Sequence, residues 1–189
     1  MARINVNPTR MELTRLKKRL AMAVRGHKLL KDKRDEMMRQ FVKLVRENAA
    51  LREQVETALS AALGEFALCR GLMEAEMLEN ALLYPARTVE LSLGRANIMS
   101  VRVPRIEAKT GEVVLSYGLA QTTSQLDGAI ASLAEVFPDM IRLAEIEKTC
   151  NLLADEIEKT RRRVNALEYV MIPDLQETIR YITMKLEEN

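Results

Sequence analysis

Between Pro8 and Pro85 the chain holds no proline, and apolar residues recur every third and fourth position. Written as heptads, the a positions are Leu13, Leu20, His27, Arg34, Phe41, Asn48, Val55 and Ala62. The d positions are Leu16, Ala23, Leu30, Met37, Leu44, Leu51, Ala58 and Glu65. Twelve of these sixteen are apolar, and a seam sustained that long predicts a coiled-coil helix. From residue 9 to 82 it would run ~110 Å at ~1.5 Å per residue. His27, Arg34, Asn48 and Glu65 interrupt the seam, and polar seam residues lower stability while fixing register and partner number.

The pattern changes at residues 84–118, which hold three glycines and two prolines. β-Branched residues gather at Val101, Val103 and Ile106 and again at Val113 and Val114. Lys109-Thr110-Gly111 reads as the turn of a β-hairpin between them, with Gly111 free to take a positive φ. Val89–Leu93 is a weaker strand or helical turn, and Pro104 marks an edge strand. Helical spacing resumes at Leu126, Ile130, Leu133, Phe137, Met140 and Ala144. A 3–4 alternation then runs Cys150, Leu153, Ile157, Thr160, Val164, Leu167, Met171, and continues one residue out of step at Leu175, Ile179, Ile182 and Leu186. Pro138 and Pro173 lie inside this stripe, so kinks are expected there and not helix ends.

The expected fold is all-α: a long antiparallel two-helix coiled coil with a short β-hairpin insert at the end opposite the termini. Its parts are an N-terminal helix (1–83), an irregular or hairpin insert (84–120) and a C-terminal helix (121–189), forming one elongated body. The seam is assigned to Leu13, Leu16, Leu20, Leu30, Met37, Phe41, Leu44, Leu51 and Val55 against Leu153, Ile157, Val164, Leu167, Met171 and Leu175. In this hairpin Cys69 and Cys150 are expected to fall near one another.

Composition agrees with long helices and narrows the function. Charged residues make up 30% and aromatic ones 4%, with no Trp. The start MARINVNPTR has no apolar core of a secretory signal, and no apolar run reaches the ~18 residues of a membrane span. Direct membrane insertion is therefore not expected. Two widely spaced cysteines and one histidine form no metal-ligand pattern, and no phosphate-binding glycine loop is present. No catalytic residue, cofactor or metal is expected. Charge is graded instead: residues 10–39 carry eleven Lys and Arg against four acids, while residues 145–158 are acidic. An acidic partner would meet the basic end. Nucleic acid is disfavoured, because stacking aromatics and a recognition motif are both missing.

Three blocks carry a resemblance: NPTRMELTRLKKRL at 7–20, GHKLLKDKRDEM at 26–37 and RRRVNALEYVMIP at 161–173. Together, in order and with the same intervening lengths, they closely resemble the D subunit of V-type and A-type rotary ATPases. The resemblance implies a non-catalytic central shaft that binds no nucleotide. It implies a coiled coil entering a hexamer of A and B subunits, with a small F subunit and a subunit capping the membrane ring at the other end. It places the protein in the cytoplasm, peripheral to the membrane. Members of that family extend the last helix further, whereas this sequence ends at Asn189. On charge, Arg10, Arg15, Lys17, Lys18, Arg19, Arg161, Arg162 and Arg163 form the expected stator-facing surface. Ile98, Met99, Val101, Val103, Val113 and Val114 form the expected hairpin edge for the F subunit. Two other readings fit a helical hairpin: a prefoldin-like holdase, with shorter helices and apolar tips, and a nucleic-acid-binding hairpin with salt-sensitive binding.

Overall fold

The computed structural model describes residues 6–85, 87–112, 114, 116–118 and 122–188. Its elements in chain order are α1 (Arg10–Leu72), α2 (Ala75–Leu82), β1 (Val89–Ile98), β2 (Val101–Thr110), α3 (Ser124–Ala166), one π-helical turn (Leu167–Met171) and α4 (Ile172–Glu187). Two compact units divide the chain, Met1–Phe41 with Leu153–Asn189, and Val42–Leu152.

The first unit begins at a cap. Thr9 precedes α1, and its hydroxyl accepts the Glu12 backbone N–H at 3.2 Å, satisfying one of the donors that a helix start leaves unpaired. Leu16, Ala23, Leu175 and Ile182 are buried together, with Leu13, Leu20, Leu167, Ile172 and Ile179 packed around them. Met37, Leu153, Thr160, Val164 and Thr178 are also buried.

One seam assignment is corrected here. Met171 is 41% exposed, and the stripe steps from Leu167 directly to Ile172. That five-residue step is the π-turn, in which the Ile172 N–H reaches back to the Leu167 carbonyl. A π-turn adds one residue to a helical turn, which is the one-residue slip visible in the sequence. Pro173 follows inside the first turn of α4. Having no N–H, it could not have sent the regular α-helical bond to Tyr169.

In the second unit α1 pairs with α3 in antiparallel sense. Glu65 accepts the Ser132 hydroxyl at 2.9 Å, and Arg52 meets Glu147 at 3.3 Å. Leu51, Val55, Ala62, Ala129, Val136 and Ile146 are buried. Ala58 and Glu65 are exposed, whereas Leu59 and Phe66, each one residue further on, are half-buried. Past Val55 the buried face therefore drifts off the strict heptad. A straight helix of 3.6 residues per turn drifts in this way, by ~20° per heptad. Met140 and Ala144, expected on the stripe, are exposed.

The long first helix ends before the expected residue 82. Glu74 is extended, with φ −66° and ψ 140°, and α2 then packs Leu78 and Ala81 with Cys69 and Leu126. The cysteine expectation changes with this packing. Cys69 lies 3.6 Å from the Thr123 hydroxyl, at the start of α3, and belongs with Leu126. Residues 126 and 150 are separated by about 36 Å of helix at ~1.5 Å per residue. Cys69 and Cys150 are therefore not neighbours; both are buried free thiols. Burial, with Glu147 and Glu47 adding to it, pushes the Cys150 thiol up.

The hairpin is present but displaced from its expected place. Its strands pair from Val89↔Thr110 to Ile98↔Val101, so the turn is Met99–Ser100, not 109–111. Both turn residues have positive φ, 51° and 74°, as a two-residue hairpin turn whose twist matches its strands requires. Gly111 instead closes the base, donating its N–H to the Thr88 carbonyl at 3.1 Å. Among the described glycines none has a positive φ. L-Residues pay for that conformation in steric strain of about 1–2 kcal/mol each. Met99→Asn combined with Ser100→Gly is expected to stabilise the hairpin by about 1 kcal/mol. Slower amide exchange in β1 and β2 would register it, and unchanged exchange would refute it.

Candidate interaction surfaces

Among the described residues no group of three or more His, Cys, Asp or Glu could hold a metal ion. Two polar seam residues find partners in different ways. His27 Nε2 lies 3.3 Å from Glu168 Oε2, joining α1 to the π-turn. Arg34 does not fill the seam; its guanidinium bonds the adjacent Asp35 at 2.7 Å. Where it turns aside, a groove of about 600 Å³ opens, lined by Arg34, Asp35, Met38, Phe41, Ala154, Ile157, Glu158 and Arg161.

The basic residues expected to face partners are all exposed: Arg10, Arg15, Lys17, Lys18, Arg19, Arg161, Arg162 and Arg163. They differ in how free they are. Arg15 pairs with Glu12 at 3.2 Å, Arg162 with Glu158, and Arg163 with Glu156 at 3.9 Å. Arg10, Lys17, Lys18, Arg19 and Arg161 have no ion-pair partner among the described residues. Nor do the two groups form one patch. Glu168 lies level with His27, and Arg161 lines the same groove as Arg34. Fifteen residues of α1, about 22 Å at ~1.5 Å per residue, separate that groove from Arg19.

At the hairpin the docking residues need correction. Val101 and Val103 are 8% and 3% exposed, buried by the chain's own packing and closed to a partner. β2 is held to α3 by Glu145, whose carboxylate accepts the Ile106 N–H at 2.7 Å; that strong charge-assisted bond had no signature in the sequence. Ile98 and Met99 are half-buried. Val114 is 65% exposed and outside either strand, and Val113 lies outside the described residues. The open apolar surface of the hairpin is on β1 instead, at Leu91 and Leu93.

A further contact fixes the region where α2 meets α3. The Tyr117 hydroxyl donates to Asp127 at 2.6 Å, and burial, then that bond, raise the phenol above its ordinary range. It stays a neutral donor holding the loop before α3. Among the described residues no helix is long and apolar enough to cross a membrane.

The family profile for the ATP synthase D subunit matches residues 12–189. The chain belongs to the ATP synthase D-subunit family. Its relatives match along the whole of this chain. The V-type ATP synthase D subunit of Clostridium novyi (strain NT) is 55% identical over 194 residues, covering 100% of this chain and 90% of the relative. That of Thermoanaerobacter sp. (strain X514) is 54% identical over 191 residues, covering 100% and 91%. That of Acetivibrio thermocellus is 57% identical over 193 residues, covering 100% and 87%. For a D subunit, a seam of paired helices and an exposed basic surface describe a part of an assembly.

Proposed function

We propose that this chain is the non-catalytic central-stalk subunit, the rotor axle, of a V/A-type ATPase. It transmits torque between ATP hydrolysis or synthesis in an A/B hexamer and proton or sodium translocation through a membrane ring. Its partners are the A and B subunits, the F subunit and the ring-capping subunit, and it works at the cytoplasmic side, peripheral to the membrane. The observation that carries this reading is likeness along the whole of this chain to V-type ATP synthase D subunits, joined to a 63-residue helix closed on a partner helix by an apolar seam. A torque-bearing part needs length and stiffness and no chemistry of its own. The holdase and nucleic-acid readings have no comparable support.

Co-purification of the chain with an A–B hexamer and an F subunit tests the assignment; no such complex would overturn it. Within that complex, reversing Arg161, Arg162 and Arg163 to Glu is expected to weaken assembly or coupling by about tenfold, because charge complementarity governs encounter and register. Arg161 should carry most of the loss, since Arg162 and Arg163 already face Glu158 and Glu156. A triple variant that assembles and turns over like the parent would remove the basic surface from the mechanism.

A further inference from the structure

The π-turn places three consecutive large side chains in solvent. Tyr169 is 71% exposed, Val170 57% and Met171 41%. Such a run on a soluble helix is a defect unless it serves a contact. The helix pair does not need it: with one residue fewer, Leu167 and Ile172 would fall four apart and the 3–4 stripe would run on unbroken. The polar member of the turn, Glu168, is itself exposed and reaches to His27 at 3.3 Å. Single π-turns inside α-helices occur often at functional sites.

We infer that this turn is a docking knuckle for a protein partner with a concave apolar surface bordered by carboxylates. Two observations select that occupant. Consecutive helical residues step by about 100°, so three of them sweep roughly 200° around the axis. A flat lipid surface meets one strip of a helix, whereas a concave protein surface can cover all three side chains at once. Beside Glu168, which faces His27, the cations near the knuckle are available. Arg25 and Lys28, on either side of His27, are exposed and have no ion-pair partner among the described residues. Arg161, about two turns before the knuckle, is equally free. An apolar centre with a cationic margin calls for the opposite margin on its partner.

This inference rests on the proposed place of the chain in a rotary ATPase, and the experiment separates the two. A photo-crosslinking benzophenone side chain replaces Val170 in the complex assembled with the A, B and F subunits. Alongside it, the full chain carries Tyr169→Ser, Val170→Ser and Met171→Ser. The expected result is a crosslink from residue 170 to another subunit, and binding of the triple variant about tenfold weaker, as for an interface anchor. The isolated triple variant keeps the parent's helical circular dichroism and melting temperature. Overturning results are a crosslink confined to a second copy of this chain, parent-like binding by the triple variant, or a complex that assembles without any crosslink at 170. Binding to phosphatidylserine vesicles that the triple variant loses, without the intersubunit crosslink, would likewise overturn it in favour of a lipid surface. If the unmodified chain fails to co-purify with those subunits, the parent reading falls and the knuckle falls with it.

Discussion

Leu175→Ala is expected to lower the unfolding free energy by about 3 kcal/mol, while Met171→Ala four residues earlier should change it by less than about 0.5 kcal/mol. Leu175 has no exposed surface and packs in one cluster with Leu16, Ala23 and Ile182. Truncating it removes apolar area and leaves a cavity that two paired helices have little freedom to collapse. Met171 sits on the far side of the π-turn and is 41% exposed, so its truncation strands almost no core. The contrast is sharp because a regular 3–4 stripe would put Met171 in the seam. Urea unfolding followed by circular dichroism measures both. Equal losses at the two positions would mean that the stripe passes through Met171 and that the π-turn is absent in solution.

The long helices could be read from the sequence because their signal is cumulative. From Leu13 to Val55 each heptad repeats the same demand, and no proline contradicts it. The slip after Met171 was equally readable as spacing, but spacing alone does not say whether a bend or an inserted residue absorbs it. The end of α1 was hidden because Gly71 and Glu74 are weak punctuation; what breaks the helix is the distant core of Leu78, Ala81 and Leu126. The hairpin turn was misplaced for a local reason. Met99-Ser100 holds two positive φ values without the Asn-Gly or Asp-Gly pair that usually announces them, whereas Lys109-Thr110-Gly111 looks like a turn and only closes the base.

The candidate surface was legible in part. Exposed cations follow directly from their place outside the heptad seam, and all eight are exposed. Which of them are free does not follow, since that depends on whether Glu12, Glu156 or Glu158 reaches back to them. Val101 and Val103 illustrate the opposite failure. Their alternation marks a half-buried strand, but the pattern cannot tell a face covered by the chain itself from one awaiting a partner. Tyr169, Val170 and Met171 were concealed by the same ambiguity, since an apolar run at the end of a stripe reads as more stripe.

Asn48→Leu is expected to raise the unfolding free energy by about 1–2 kcal/mol and to loosen the pairing of α1 with α3. The four polar seam residues differ in what they meet. His27 has Glu168, Arg34 has Asp35, and Glu65 is exposed and accepts from Ser132. The Asn48 side-chain oxygen is buried with no hydrogen-bond partner among the described residues. A buried acceptor left unmade costs about 1–3 kcal/mol, and leucine at a seam position removes that cost while adding apolar contact. The amide persists at a position where leucine would be more stable, so its contribution is to specificity: sliding α3 along α1 would bury it against a different apolar layer. Disulfide trapping in chains cleared of Cys69 and Cys150, with one cysteine at Arg52 and the second at either Glu147 or, one heptad away, Met140, reads the register directly. The parent should trap the pair at Arg52 and Glu147 alone, and the leucine variant should trap both pairs. A leucine variant that gains stability and still traps only the parent pair would leave Asn48 with no part in setting the register.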